Sequence, residues 1–483
     1  MVMKGFTRKF KPLEILTEEQ LEAIHRGTLE VLEKTGVRVE HERALKMFKE
    51  NGCEVDYKRM RVSFPPGLVE ECLHKCPSSF HLKARDPKND LRIGGNTLYF
   101  STFSGMRILD LDTWKTRPAT KTENVEAIKV LDALDNLHYH SAYTPYFEVE
   151  GISPSMSIPE GVAALMRYST KVIQANYALD CEIFNIKMAK TVGIEVNGAC
   201  LASPPLTYRR DAIESAFRFV EAGFPVWVCS GVMMGASGPA TIAGSTITNN
   251  AEVMTGIVLT QLIKPGTRVW AGDCAFPMEM RTGSSAFGAI ESSLHQVVFS
   301  QIWRKYGIPI VSCAVGPSSS KQIDFQCGYE KAIGAMLSAL SGANVLTSYG
   351  GVYGELAFHP VQAILDDEIA GMVGRFIESV DVTEETLAID LIDEVGPIPG
   401  MYLDKEHTRK WWKKEQFMPK VADRTSYPEW MEKGKKSALD HAKERMKEIL
   451  ATHEPTPLTS DQEAALERIL EEARKYYSER GLL

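Results

Sequence analysis

Apolar residues recur along the chain in short runs that are separated by segments of helical periodicity. Seven of these runs read as buried strands, because a parallel strand covered by helices on both faces is apolar throughout. They begin near Leu137, Val172, Cys200, Val226, Val269, Ile308 and Val345. Their starts are spaced by roughly 26 to 43 residues, which is the length of a βα unit. The pattern predicts an α/β fold, a (βα)8 TIM barrel over residues 137–380.

A closed barrel of this type needs an eighth strand, and Glu355–His359 is the candidate. An open doubly wound sheet is the alternative fold. The chain has no GxGxxG pattern that opens a helix after the first strand, so it lacks the main signature of a dinucleotide-binding sheet.

The residues before the barrel, 1–136, are predicted to form an N-terminal cap of helices and a β-hairpin. A capping-box pattern at Thr17 precedes a helix over Glu18–Thr35. The two hairpin strands are Leu98–Phe103 and Met106–Leu111.

Residues 381–483 are predicted to be a C-terminal helical extension, which ends in a helix over Ser460–Tyr477. Such helices pack on a barrel or form an interface between copies, and we expect a homo-oligomer.

Composition narrows the class of protein. The chain is 44% hydrophobic and 24% charged, with a formal net charge of -8 and no long basic block, which argues against a nucleic-acid partner. No stretch is apolar enough to predict a membrane span. The nine cysteines have no paired CxxC spacing, so we expect reduced thiols in a cytoplasmic protein.

The loops after the predicted strands are rich in aromatic side chains. Because barrel enzymes place their sites at the C-terminal ends of the strands, these residues predict a pocket for a desolvated organic cation, held by cation–π contacts of about 0.5 to 2 kcal/mol each. The aromatic candidates are Tyr143, Tyr349, Tyr353, Phe358 and Phe276. A chance collection of loop aromatics is the competing interpretation.

Charged residues complete the predicted site. Asp324 and Glu355 are the candidate catalytic residues, and Arg281, Lys321 and His359 are candidates for binding a substrate carboxylate. Surface or ion-paired structural roles are the alternative for the last three. No metal site is predicted, because the histidines show no ligand spacing except His138-x-His140, for which a buried hydrogen-bonded pair is the favoured interpretation.

The order of several motifs gives the chain a family resemblance. The motifs are the N-terminal LTEEQLEAIHRGTLEVLEKTGVRVEH, Ser101–Gly105, the Ser320-Lys321-x-x-Asp324-x-Gln326-x-Gly328-x-Glu330 loop, Leu365-Asp366-x-Glu368, Glu394-Val395-Gly396 and the Trp430–Leu450 tail. In this order the chain resembles the trimethylamine methyltransferase superfamily, in particular its members that lack pyrrolysine and demethylate betaines.

The resemblance implies a barrel that moves a methyl group from a quaternary amine to the Co(I) of a corrinoid (cobalamin) carried by a partner protein, with no cofactor bound tightly to this chain. Glycine betaine, which would leave as dimethylglycine, is the expected substrate; proline betaine, carnitine and γ-butyrobetaine are the alternatives. Two other classes stay open: a lyase that forms a Schiff base at Lys321, and a non-catalytic betaine-binding protein.

Overall fold

The computed structural model describes residues 4–314 and 316–483, and within these ranges eight parallel strands close into a barrel. Each strand pairs with the next one along the chain, and the eighth pairs with the first, Val345 opposite Tyr99. The strands are Thr97–Thr102, Tyr139–His140, Val172–Gln174, Val196–Leu201, Val226–Ser230, Val269–Asp273, Ile310–Ser312 and Val345–Tyr349. The prediction of a (βα)8 barrel is confirmed.

Eight helices, counted over the described ranges, follow the strands in turn and cover the barrel. The helix of residues 242–263 is buried on most of its surface, because two N-terminal helices pack over it. The eight helices are Lys121–Ala133, Ser157–Tyr168, Glu182–Val192, Arg210–Glu221, Ile242–Ile263, Ile290–Lys305, Phe325–Ser341 and Pro360–Ile377.

The strand that completes the barrel is not the one predicted. Ala357–Phe358 lies outside it, paired antiparallel with Gly351–Val352 and parallel with Arg107–Leu109. The missing strand is Thr97–Thr102, so the barrel begins inside the range 1–136 that was assigned to the cap. Both faces of this strand are buried, Tyr99 toward the interior of the barrel and its neighbours toward the surrounding helices, which explains its uncharged sequence.

The predicted hairpin of Leu98–Phe103 with Met106–Leu111 is therefore wrong. Arg107–Leu109 instead forms an antiparallel hairpin with Thr116–Arg117. Gly105, which looked like a hairpin turn, lies against the carbonyl of Pro145, where a Cβ atom would come within 2.3 Å of the oxygen. A close approach between segments, and not a turn, explains this glycine.

The N-terminal part packs on one side of the barrel and closes its lower end. The helix after Thr17 has the predicted capping box and continues through a π-helical turn. A hairpin inserts Phe80 beneath the barrel, edge-on to Trp270 at 5.7 Å between ring centroids. The elements are Phe6–Thr7, Glu18–Glu30, Val31–Thr35, Val37–Val39, Glu42–Glu50, Glu54–Asp56, Arg61–Ser63, Pro66–His74, Ser79–Leu82 and Leu91–Gly94.

The C-terminal residues are helical. Helix 438–452 packs on the last barrel helix, and helix 460–478 packs on the helix of residues 182–192. The C-terminal helices are Glu384–Leu387, Ile389–Val395, Glu406–Glu415, Tyr427–Glu432, Ala438–Thr452 and Ser460–Ser478. Among the helices of the described residues, none has the length and apolar character to cross a membrane.

Candidate active site

A cavity of about 340 Å3 lies at the mouth of the barrel, at the C-terminal ends of its strands. Residues in or just after all eight strands contribute to its wall, so the cavity is a product of barrel closure. The lining residues are Phe103, Ser104, Met106, Ser141, Ala142, Tyr143, Gln174, Asn176, Leu201, Ala202, Pro204, Trp227, Cys229, Ser230, Gly231, Cys274, Cys313, Thr347 and Glu355.

Trp227 supplies the largest aromatic surface of the cavity. It stands on the fifth strand, opposite Trp270 of the sixth. Its indole lies over Gly272, where a Cβ atom would approach the indole nitrogen to 2.1 Å, so no larger residue fits beneath the ring. Tyr143 and Phe103 add two more aromatic rings to the lining.

Tyr143 has an unusual backbone. Its φ of 58° lies in the left-handed region, which a bulky residue rarely adopts. The ring packs edge-on against Phe147, with 5.2 Å between ring centroids, and burial raises the pKa of its hydroxyl. Strained backbone of this kind concentrates at ligand-binding sites, and here it belongs to a residue of the cavity wall.

Glu355 is the acidic residue among the described residues of the lining, and no lysine, arginine or histidine is found among them. Burial raises the pKa of its carboxyl above the ordinary value. With three aromatic rings and one carboxyl group, the wall favours an organic cation over an anion.

Three cysteines, Cys229, Cys274 and Cys313, also line the cavity. Burial raises the pKa values of Cys229 and Cys274 well above the ordinary value, which keeps these thiols protonated and poorly nucleophilic. Across residues 4–314 and 316–483, no group of three or more His, Cys, Asp or Glu side chains is arranged to hold a metal ion.

Buried polar groups support the wall from behind. Glu252, on the helix after the fifth strand, accepts hydrogen bonds from the Ser230 hydroxyl and from the Leu206 backbone N–H, the latter at 2.6 Å. Burial raises the pKa of Glu252 to about 7. Asp273 accepts a hydrogen bond from His295 at 2.9 Å on the outer side of the sixth strand.

Of the ten predicted site residues, all of which lie in the described ranges, Tyr143 and Glu355 line the cavity. Phe276 lies on the short strand Phe276–Glu279 after the sixth barrel strand, and Tyr353 lies in the turn after Gly351–Val352. Phe276 packs against Phe287, with 4.9 Å between ring centroids, and the Tyr353 ring receives the Lys321 ammonium at 4.5 Å from its centroid.

Three of the predicted site residues make structural contacts and do not line the cavity. The Tyr349 hydroxyl donates a hydrogen bond to Asp367 at 3.1 Å, and Phe358 is fully buried, edge-on to Tyr146. His359 caps the helix that begins at Pro360, and burial lowers its pKa to about 4. A neutral imidazole in this position is not a cationic partner for a carboxylate.

The remaining charged candidates lie outside the cavity. Arg281 pairs with Glu279 at 2.7 Å and its side chain is 86% exposed. The Lys321 ammonium donates to the Ser319 carbonyl at 2.8 Å. Asp324 caps the helix of residues 325–341, accepting a hydrogen bond from the Cys327 N–H at 2.9 Å. Their roles in binding or catalysis stay predictions.

Sequence reasoning missed most of the lining, above all Trp227, Phe103, Gln174 and Asn176. The fifth strand itself was predicted, and Trp227 and Cys229 lie two residues apart on it. Alternation along a strand places two such residues on one face. The sequence does not mark which of the two faces points into the barrel, because this strand is apolar on both faces.

The comparisons with known proteins identify the family of the chain. The family model described as "Trimethylamine methyltransferase (MTTB)" matches residues 1–476. The chain belongs to the trimethylamine methyltransferase (MTTB) family. It is a methyltransferase of that family, and its relatives match over nearly their whole length.

A glycine betaine methyltransferase of Desulfitobacterium hafniense is 32% identical, with 96% of this chain and 98% of the relative covered. A trimethylamine methyltransferase MttB of the same species is 31% identical over 95% of this chain and 94% of the relative. The crystal structure of the hydroxylamine MtmB complex shares the fold, with a TM-score of 0.52 and 13% identity over 96% of this chain and 94% of that chain.

Proposed function

We propose that this MTTB-family protein transfers a methyl group from a small quaternary amine, glycine betaine in the first instance, to the reduced corrinoid of a partner protein. The observation that carries the proposal is the cavity at the barrel mouth, where Trp227, Tyr143, Phe103 and Glu355 surround a space suited to a cation. The similarity to a glycine betaine methyltransferase supports the choice of substrate.

The volume of the cavity fits a site that binds the amine substrate but not the corrinoid. A volume of about 340 Å3 is at the lower end of the range for small-ligand pockets, about 300 to 1,000 Å3. It accommodates a trimethylammonium group with a short substituent, whereas a corrinoid macrocycle is too large for it. This volume supports a corrinoid that is carried by the partner protein, as the family resemblance implies, and that acts there as the methyl acceptor.

The residues of this chain bind and aim the methyl donor. The aromatic rings of Trp227, Tyr143 and Phe103 replace water around the ammonium group, and Glu355 lies at the same wall to balance its charge. During transfer one C–N bond breaks, its electron pair stays on nitrogen, and the methyl group joins the acceptor. Glycine betaine then leaves as dimethylglycine, a neutral amine at nitrogen.

Charge moves away from nitrogen as the bond breaks, so a cage that binds the full cation too tightly would stabilise the ground state and slow transfer. A wall with one carboxyl group and three aromatic rings should bind a cation with moderate affinity. The main contribution of the wall is orientation, because holding reactants in line can lower a barrier by several kcal/mol.

One property of the lining favours an alternative class of substrate, the quaternary amines that have no carboxylate. Among the described residues of the wall there is no lysine, arginine or histidine, so a substrate carboxylate meets only amide and hydroxyl groups such as those of Gln174, Asn176 and Ser141. A quaternary amine with an uncharged tail, of the choline type, avoids the repulsion between its own carboxylate and Glu355. This class is the alternative to glycine betaine.

A substrate panel tests the proposal and separates the two classes. The protein is mixed under reducing conditions with cob(I)alamin and with glycine betaine, choline or trimethylamine, and the demethylated amine is quantified by mass spectrometry. We expect a product from at least one quaternary amine and none from trimethylamine, which has no substituent for the wall to orient. Turnover of trimethylamine at the rate of glycine betaine would contradict the substrate assignment.

The panel also addresses the Schiff-base alternative. Lys321 lies outside the cavity, with its ammonium over the Tyr353 ring. A Lys321→Met variant should therefore keep its methyl transfer activity, and borohydride added together with a carbonyl substrate should trap no adduct on the wild-type protein.

A further inference from the structure

Two further voids lie beside the barrel cavity and lead from it to the side of the barrel. The cavity and the first void, which we name the crevice, have four lining residues in common: Ala142, Tyr143, Gln174 and Asn176. The crevice and the second void, which we name the vestibule, also have four in common: Tyr146, Phe147, Ser157 and Gly161. The crevice and the vestibule together, which we name the passage, therefore adjoin the cavity in a row.

The vestibule has a volume of about 240 Å3 and lies between the helices Lys121–Ala133 and Ser157–Tyr168. Glu160 and Arg167 in its wall form salt bridges with helix 460–478, so their charges are compensated. Three aromatic residues also line it: Tyr146, Phe147 and Tyr168. Aromatic rings beside compensated charges suit the passage of a quaternary ammonium ion.

The crevice is the narrow part of the passage. A cavity needs roughly 10 to 15 Å3 to hold one water molecule, so the crevice, at about 20 Å3, is too small for a trimethylammonium group. The rings of Tyr143 and Phe147 meet edge-on here, with Tyr143 at the cavity end and Phe147 at the vestibule end. Gly105 donates to the Tyr143 carbonyl at 3.0 Å and accepts from the Phe147 N–H at 2.9 Å. Because these bonds hold the loop, the passage opens by rotation of a ring.

The hydroxyl group of Tyr146 indicates that the passage takes up polar molecules. Tyr146 is buried, and its hydroxyl has no hydrogen-bond partner among the described residues. Its side chain lines both the crevice and the vestibule. Buried hydroxyl groups are normally satisfied, so a partner from solvent or from a ligand is expected at this place.

The glycine at position 161 keeps the passage wide. Gly161 lies inside the helix Ser157–Tyr168, where glycine is less stable than alanine. Its φ is not in the left-handed region, and a Cβ atom at this position would meet no atom of the described residues within 4 Å outside its neighbours and its own helix. Neither the backbone nor close packing requires a glycine here. Its missing side chain instead leaves space where the crevice joins the vestibule.

We propose that the passage is the route by which the amine enters the cavity, and the demethylated amine leaves it, while a corrinoid covers the barrel mouth. The inference rests on the proposed function, because the methyl acceptor then approaches the cavity through the mouth. With two separate routes, the amine and the corrinoid can bind in either order. If the mouth were the single route, a corrinoid that bound first would exclude the amine.

A variant that fills the passage tests the order of binding. Gly161→Leu should close the passage and leave the cavity intact, because the position has room for a side chain and leucine favours a helix. The rate of demethylation is measured with a fixed, limiting concentration of the amine identified by the substrate panel, over rising cob(I)alamin. The wild-type rate should rise to a plateau. The rate of the variant should equal the wild-type rate at low cob(I)alamin and then fall, because cobalamin at the mouth keeps the amine out.

The matched control is Gly67→Leu. Gly67 is an exposed glycine of the helix Pro66–His74, and a Cβ atom there likewise meets no atom of the described residues within 4 Å. It does not line the cavity, the crevice or the vestibule. The rate of this variant should reach the same plateau as the wild-type rate.

A thiol in the passage tests access without any methyl transfer. Gly161→Cys is treated with (trimethylammonio)ethyl methanethiosulfonate, a thiol reagent that carries a trimethylammonium group, and peptide mass spectrometry quantifies the modification at residue 161. Each native cysteine is buried or half-buried, and its peptides are resolved in the same experiment. We expect modification at residue 161. The modified protein should then lose activity at high cob(I)alamin, as Gly161→Leu does, because the attached group fills the passage.

Three outcomes would overturn the inference. They are a plateau for Gly161→Leu equal to that of the wild type, a wild-type rate that falls at high cob(I)alamin as the variant rate does, and no modification at residue 161 in the folded protein. A wild-type protein that demethylates no amine would refute the proposed methyl transfer instead. Modification at residue 161 would still decide whether the passage admits a trimethylammonium group.

Discussion

Replacing Trp227 by leucine should weaken the binding of a quaternary amine more than it weakens the binding of an analogue that lacks the ammonium charge. Leucine keeps an apolar side chain at the cavity wall but removes the ring above Gly272. A cation–π contact contributes about 0.5 to 2 kcal/mol, and each 1.4 kcal/mol is tenfold in affinity. The dissociation constant of glycine betaine should therefore rise by about 2-fold to 30-fold.

The assay is calorimetry with two ligands of the same shape. In 3,3-dimethylbutanoate a carbon atom replaces the nitrogen of glycine betaine, so that the positive charge is lost and the methyl groups remain. Any loss of apolar contact in the Trp227→Leu variant affects both ligands, and the difference between them measures the contribution of the charge. Trp412→Leu, on helix 406–415 outside the cavity, is the matched control.

Equal weakening of the two ligands would show that the ring contributes only apolar area. Unchanged affinity for both would remove Trp227 from the binding site, and with it the main aromatic surface on which the cation site is based. Thermal unfolding of the variant distinguishes a local effect on binding from a loss of folded protein.

Three further predictions concern single carboxyl groups. Choline binding should weaken as the pH falls through the raised pKa of Glu355, because its carboxyl loses its charge, and Glu355→Gln should abolish this dependence. Asp324→Ala should lower the free energy of unfolding by about 0.5 to 2 kcal/mol in urea titrations, with Asp324→Asn closer to the wild type, because the helix cap is lost. Burial raises the pKa of Glu252 to about 7, so the folded protein holds this proton more tightly than the unfolded chain does. The resulting contribution to the free energy of unfolding is full below the ordinary carboxyl pKa and is lost as the pH rises through about 7. Glu252→Gln should flatten the dependence of the free energy of unfolding on pH over this range.

The barrel could be predicted because its strands are marked by their composition. Runs such as Val226–Ser230 and Val345–Tyr349 are uncharged on both faces, and their spacing fits a βα repeat. The same composition marks Thr97–Thr102, but Ser104-Gly105 after it is also the signature of a hairpin turn. The pairing of Thr97–Thr102 with the distant strands Tyr139–His140 and Val345–Tyr349 decides between the two interpretations, and such pairing is not encoded locally.

The apolar composition that identifies the strands does not show which of their residues line the site. Where both faces of a strand are buried, no alternation of polar and apolar residues shows which side chains point inward. Trp227 thus enters the cavity wall, whereas Tyr349, at the end of another strand, directs its hydroxyl to Asp367 on a surrounding helix. Charged loop residues such as Arg281 have side chains that suit a binding site, but whether they pair with a neighbour depends on the local loop geometry.

The central claim is that this barrel removes a methyl group from a quaternary amine and passes it to a corrinoid. The most direct measurement uses glycine betaine with deuterated methyl groups, cob(I)alamin and the protein, and follows the label by mass spectrometry while the visible spectrum reports consumption of cob(I)alamin. We predict labelled methylcobalamin and dimethylglycine in equal amounts, with a much lower rate for Trp227→Leu. No labelled methylcobalamin from glycine betaine, choline or any other quaternary amine would contradict the account.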